Sequence, residues 1–327
     1  MKRFAWSGIL PFAVVLSILF SVGCKKNQTD DTVVTPKTTS EPLDVKVKQF
    51  NADANAYNGE SDLATDEVNN ALKDVSNFGR YSGPQSIATS PMCGVTVDTS
   101  QAANKIIYFN FDGVTPCFSP SRTRSGQIKV QLTSGSNWSN QGSELALTFI
   151  NYKVTRLSDN KSIAMNGVKK LTNINGNNWL LFLTGTQNLK YKERALNINV
   201  AFSDGSSAVW NSARTTEYNY NPTNKVVSFT ANGDTTINNK TFVESWGVNR
   251  FNQSFSTNFI KPWISNNYCD FGRPISGEFN HNIANANYNF ILGVDQQGNA
   301  SNQACAYGFK VTWTALNGTT NTSILSY

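Results

Sequence analysis

Histidine is almost missing from this chain: His281 is the single one among 327 residues. A Ser-His-Asp triad would have to use it, and no Gly-x-Ser-x-Gly elbow is present to supply the nucleophile. Zinc needs clustered His and Cys ligands, which one histidine does not provide. No Asp-x-Asn-x-Asn-Gly calcium loop appears, and no glycine-rich phosphate loop follows a strand. No cofactor or metal is expected. His281 shares a strand face with Phe279 and Ile283, which reads as a packed strand histidine rather than a general base. Charge is scarce as well. Asp, Glu, Lys and Arg make up 15% of the chain, with no long basic run, so nucleic acid is excluded as a partner. The strand–helix alternation of an α/β fold is also absent.

The one pronounced apolar run, residues 8–20, is shorter than the roughly 20 residues a membrane span needs. It follows Met1-Lys2-Arg3 and precedes Ser21-Val22-Gly23-Cys24-Lys25-Lys26, the layout of a bacterial leader that ends at a lipid-modified cysteine. Residues 1–23 read as signal peptide. Ser21 and Gly23 also suit ordinary cleavage without lipid, but the cysteine count argues for acylation. Of five cysteines, Cys24 taken by lipid leaves four to pair; otherwise one thiol is left over in an oxidising compartment. Residues 24–45, rich in Thr, Asp, Lys and Pro, suit a flexible tether. Loss of Lys2 and Arg3 with the leader takes the formal net charge from +6 to +4.

Residues 46–82 read as a helical spacer. Its helix is expected over Asp62–Phe78, with Leu63, Val68, Leu72 and Val75 at helical spacing, Thr65 as the cap and Gly79 as the stop. After Ser82 the period becomes two. Ile107, Phe109 and Phe111 share one face. Ile128, Val130 and Leu132 alternate with Gln127, Lys129 and Gln131. Leu196, Ile198, Val200 and Phe202 alternate with Asn197 and Asn199, and Phe309, Val311, Trp313 and Ala315 with Lys310, Thr312 and Thr314. Each is a strand with one buried and one wet face. Asn166-Gly167, Asn175-Gly176, Asn232-Gly233 and Asn317-Gly318 read as tight turns between them. The expectation is an all-β fold of packed, sandwich-like antiparallel sheets with one N-terminal helix. A boundary at Asp204-Gly205 would divide it into lobes over 83–204 and 205–327.

A weak internal repeat supports the cysteine assignment. Cys93, a hairpin, Cys117 and the alternating strand from Gly126 correspond to Cys269, a hairpin, Cys305 and the strand from Gly308. Four cysteines allow three pairings; the repeat favours Cys93–Cys117 and Cys269–Cys305. The run Cys93 … Tyr108-Phe109-Asn110-Phe111-Asp112-Gly113 … Cys117 … Arg122-Thr123-Arg124-Ser125-Gly126, then Phe149-Ile150-Asn151-Tyr152-Lys153-Val154, then Asn166-Gly167 and Thr172-Asn173, resembles a family of exported Bacteroidetes lipoproteins. Phe111-Asp112-Gly113 stands where that family has Asp-Phe-Gly. The resemblance spans about residues 90–175. It implies a lipoprotein of the Gram-negative envelope with a β architecture, anchored at the outer membrane on its periplasmic or outer side, and it carries no assigned activity.

Candidate contact residues follow from chemistry. Arg122 and Arg124, on a loop braced by Cys117, could grip a carboxylate or sulfate bidentately. Trp138 and Trp263, beside Asn, Ser and Pro, could stack on sugar faces. No catalytic residue is assigned. Asp112, Asp204, Glu244, Asp270, Glu278 and Asp295 are the carboxylates from which a glycoside hydrolase pair would be drawn, and most sit near turns where Asp is expected anyway. The reading is a lipid-anchored, non-catalytic binder of glycan or surface protein. The alternatives are a glycan hydrolase with paired carboxylates and a purely structural envelope component.

Overall fold

The computed structural model describes residues 45–72, 78, 93–117, 121–176, 179–269, 272–284, 286–314 and 318–327. The expected leader, Cys24, nearly all of the tether, Gly79 and Asp270 lie outside them. The elements are α1 (Val45–Leu72), β1 (Val95–Asp98), β2 (Ile106–Asp112), β3 (Arg122–Ser134), β4 (Glu144–Arg156), β5 (Ser162–Asn173), α2 (Trp179–Leu183), β6 (Leu189–Phe202) and β7 (Ser207–Asn221). They continue with β8 (Val226–Gly233), β9 (Thr235–Ile237), β10 (Lys240–Val248), β11 (Ser254–Asn266), β12 (Ser276–Ile283), β13 (Ala286–Val294), β14 (Gly308–Thr314) and β15 (Thr320–Ser326). The fold is all-β and antiparallel with one long N-terminal helix.

All 15 strands belong to one sheet, a meander in which neighbours in sequence are neighbours in space. Asp204-Gly205 forms the hairpin turn between β6 and β7, which pair from Leu189–Tyr218 to Ala201–Ser207, so the expected lobe boundary lies inside the ladder. Both sides of it contribute to one apolar core. The meander departs from simple order at one place. The half of β7 from Val209 to Ser212 pairs with β10, and the half from Arg214 to Asn221 pairs with β8. β11 divides in the same way, with β10 on residues Ser254–Asn258 and β8 on Trp263–Asn266. β8 and β10 therefore lie end to end in a single lane between β7 and β11. They meet so closely that a Cβ on Gly233 would lie 1.9 Å from the Phe242 carbonyl oxygen.

A second irregularity bends the sheet. Register shifts occur across β3–β4, β4–β5, β5–β6 and β6–β7. The extra residues are Asn151 on β4 and Asn197 on β6, at φ 48° and 55°. Asparagine tolerates this left-handed region better than most residues. Each bulge is fixed by a neighbouring asparagine: the Asn151 N–H donates to Asn166 Oδ1 at 2.7 Å, and the Asn197 N–H to Asn211 Oδ1 at 2.8 Å. Asn166-Gly167 is thus part of mid-strand β5, not the expected turn. The bulge also shifts the β6 face, so Ala195 is fully buried and Leu196, expected inside, is 51% exposed. Bulges add local twist and curvature.

The helix is the other difference from expectation. It begins at Val45 and runs for 28 residues. Thr65 is interior, its Oγ1 donating to the Ser61 carbonyl at 2.9 Å. Asn58-Gly59 is a poor helix signal, but no proline interrupts Val45–Leu72. Packing decides the rest: from Tyr57 to Leu72 no described side chain is exposed. Phe50 and Tyr57 stack on Trp210 with centroids 5.8 and 4.9 Å apart. Glu60 and Asp62 project about 200° apart at 100° per residue, yet they reach cations on β3 and β7. The sheet therefore curls around the helix. Cys93–Cys117 and Cys269–Cys305 are both disulfide-bonded.

Gly126 on β3 sits at φ 89°, and a Cβ there would lie 2.1 Å from the Asn151 carbonyl oxygen at the bulge. Gly142 has a similar φ of 78° with open space around it. Gly142→Ala is expected to cost about 1 kcal/mol, the left-handed strain alone, and Gly126→Ala at least about 2 kcal/mol more. Urea denaturation of both variants checks this, and equal losses would mean that the bulge yields freely.

Candidate binding site

The inward face of the sheet carries cations, and α1 carries the acids that meet them. Asp53, Glu60 and Glu67 recur every seven residues and so form one stripe. Arg122 Nη1 lies 2.6 Å from Glu60, Arg124 pairs with Glu67, and Arg250, between β10 and β11, takes Asp53 bidentately at 2.6 Å through Nε and Nη2. On the opposite side Asp62 accepts from Arg214 at 2.5 Å and from Lys169 at 3.3 Å. Lys169, fully buried, also lies 2.8 Å from Glu193. Removing one partner of such a buried pair typically costs about 3–5 kcal/mol.

This assigns two of the expected contact residues to the interior. Arg122 is 5% exposed and Arg124 2%. They do grip carboxylates, but those of the protein's own helix, so they do not offer a free anion site. Trp138 is also internal at 3% exposure, with Nε1 donating to Asn69 Oδ1 at 3.0 Å, and it does not present a face for sugar stacking. The sequence around all three is loop-like in composition, and only the helix partner explains their burial.

Trp263 differs. It is partly exposed on β11 and lines a cavity of about 90 Å³ between α1 and strands β11–β14. The floor is aromatic: Phe259, Phe279, Phe290 and Phe309, with Phe279 and Phe290 stacked at 4.9 Å. Trp263 is oriented by its Nε1, which donates to Ser265 Oγ at 2.9 Å. The rim on the helix side is Asn51, Asn55 and Asn58, one face of α1 at spacings of four and three. These amides make no hydrogen bond or ion pair with the described protein. His281 sits in the same wall, its Nδ1 2.8 Å from Thr257 Oγ1 among Phe50, Phe279 and Phe290. Burial pulls its pKa down to about 3, so it stays neutral and takes no proton near neutrality.

The lining also carries charge, from Arg214 and Glu244. Glu244 is the extra residue where β10 slips register against β11 between Val243 and Ser245, which turns it inward. Among the described residues the only cation within 4 Å of its carboxylate is Arg214, at 3.7 Å. Burial raises its pKa above the ordinary carboxylate range. The other hydrolase candidates do not join it. Asp112, Asp204 and Asp295 accept backbone N–H groups of their own turns, and Glu278 pairs with Lys261 at 3.0 Å.

Comparison with known protein families, curated proteins and solved structures gives no match. The site stands on its geometry.

Burial, and then the neighbouring Asp62, push the Asp66 carboxyl up to about 8 from 3.8. Between those values the folded state binds a proton that the unfolded chain releases. Stability from this group is therefore complete below about pH 4 and declines as pH rises to about 8, by at most about 1.4 kcal/mol per pH unit. Asp66→Asn removes the titration. It is expected to be near neutral at pH 4 and stabilising at pH 8, and urea midpoints at the two pH values test the sign.

Proposed function

We propose that this protein is a binding protein of the bacterial envelope, tethered by lipid on Cys24, that holds a glycan without cleaving it in the pocket between α1 and β11–β14. The leader and cysteine pattern support the location. One observation carries the binding reading: an aromatic floor faced by three carboxamides that have no side-chain partner among the described residues. Sugar rings present apolar C–H faces to aromatic rings. Their hydroxyls pair with neutral groups that both donate and accept, as asparagine does. The cavity takes the end of a chain, with the remainder lying across the rim. A paired-carboxylate hydrolase needs two carboxyl groups about 5–9.5 Å apart, whereas Glu244 is the one carboxylate among the described residues of this lining. That favours holding over hydrolysis.

A glycan array on the full chain tests the reading. Trp263→Ala is expected to weaken any bound glycan at least about tenfold, since an aromatic stacking contact contributes about 1–3 kcal/mol. Trp138→Ala is expected to keep binding and lose stability. No bound glycan, or undiminished binding by the Trp263 variant, would overturn the proposal. Mass spectrometry of native material is expected to find Cys24 acylated.

A further inference from the structure

We infer that the pocket selects a ligand whose inserted end is a small organic cation, an amine or quaternary ammonium, held between the aromatic floor and Glu244. This rests on the proposed glycan reading and narrows it to glycans with a positively charged end group. The first support is charge. Asp62, Glu193 and Glu244 surround Arg214 and Lys169, which is three carboxylates against two cations. Asp66 is held mostly protonated at neutral pH and adds little. Arg214 lines the cavity too, but it is committed to Asp62 at 2.5 Å and Glu193 at 3.3 Å. Glu244, its most distant partner, is the acid left under-neutralised, with only 6% of the residue exposed.

The second support is the wall. Ring faces carry negative potential, and cages of aromatic rings recognise ammonium groups without forming hydrogen bonds to them. Phe259, Trp263, Phe279, Phe290 and Phe309 provide such rings in the lining that Glu244 shares. With a neutral end group in place, the excess charge is relieved only by protonation of Glu244, whose pKa burial already raises, whereas a bound cation favours the ionised carboxylate in a poorly hydrated site where electrostatic terms are large. The neutral His281 adds no competing charge.

The test compares a glucosamine tetramer with the fully N-acetylated tetramer on the full chain by titration calorimetry near pH 6.5. Tetramethylammonium chloride is titrated separately, against a sodium chloride control. The amine oligomer is expected to bind at least tenfold more tightly than its acetylated counterpart. Glu244→Gln is expected to erase that preference while retaining a cooperative unfolding transition. Saturable tetramethylammonium binding that is lost in Trp263→Ala supports the inference without relying on the Glu244 variant. Equal affinity for the two oligomers, or preference for the acetylated one, overturns the cation inference and leaves glycan binding standing. Tetramethylammonium binding with neither oligomer bound supports the cation site and removes the glycan. Binding of none of the probes overturns both.

Discussion

The fold depends on an acidic helix neutralising the basic inside of a curled sheet. Arg122, Arg124, Lys169 and Arg214 all point inward from long strands. Without α1 these cations would share one concave surface, and the sheet would have no reason to curl. With α1 in place each finds a carboxylate, and Phe50 and Tyr57 fill the space between. Apolar burial supplies most of the driving force. The ion pairs add less net free energy, because desolvation offsets much of their attraction. What they fix is position. A carboxylate stripe of seven-residue period meets cations at fixed places on β3 and in the turn between β10 and β11, so a helix slipped by one turn would bury unpaired charges.

The strands were legible in the sequence because each carries its own evidence. Ile107, Phe109 and Phe111 alternate whatever lies beside them. The helix was legible only from Asp62 onward; the half before it contains Asn, Gly and Ser and takes its order from the sheet. The stripe Asp53–Glu60–Glu67 was the available signal for its start, and it has meaning only once the inward arginines are known. Bulges were hidden for a related reason. Asn151 and Asn197 look like ordinary outward polar residues until a neighbouring asparagine is seen to hold each one. Asn-Gly, normally a turn pair, is here a device for letting two strands approach at a bend. Of the four contact residues read from sequence, Trp263 alone reaches the pocket. The aromatic floor escaped notice, and Glu244 stood as one of six candidate carboxylates with nothing to single it out, because these residues come from separate strands with no common spacing.

The pocket's place follows from the one topological exception. Where β8 and β10 exchange a lane, neither strand continues the ladder and β10 slips by one residue. That slip turns Glu244 inward opposite Arg214, at the point where β7 changes partner. A regular strand would put alternate residues outside and leave the aromatic floor without a charged end. Irregular pairing next to a cavity is a common origin of binding sites, because it re-aims a side chain that periodicity would have placed in solvent.

The same architecture couples the site to the helix. Asn51, Asn55 and Asn58 belong to α1, and the floor belongs to the sheet, so the complete pocket exists only while α1 is docked. A ligand bound there prefers the docked state and stabilises it by RT ln(1 + [L]/Kd). By reciprocity, anything that loosens α1 lowers ligand affinity by the same factor. The buried ion pairs set that balance and are little screened by salt. The N-terminal end of α1 adjoins the segment proposed as the lipid tether; under that proposal, tension on the tether and occupancy of the pocket would act on one equilibrium, the seating of a charged helix in its sheet.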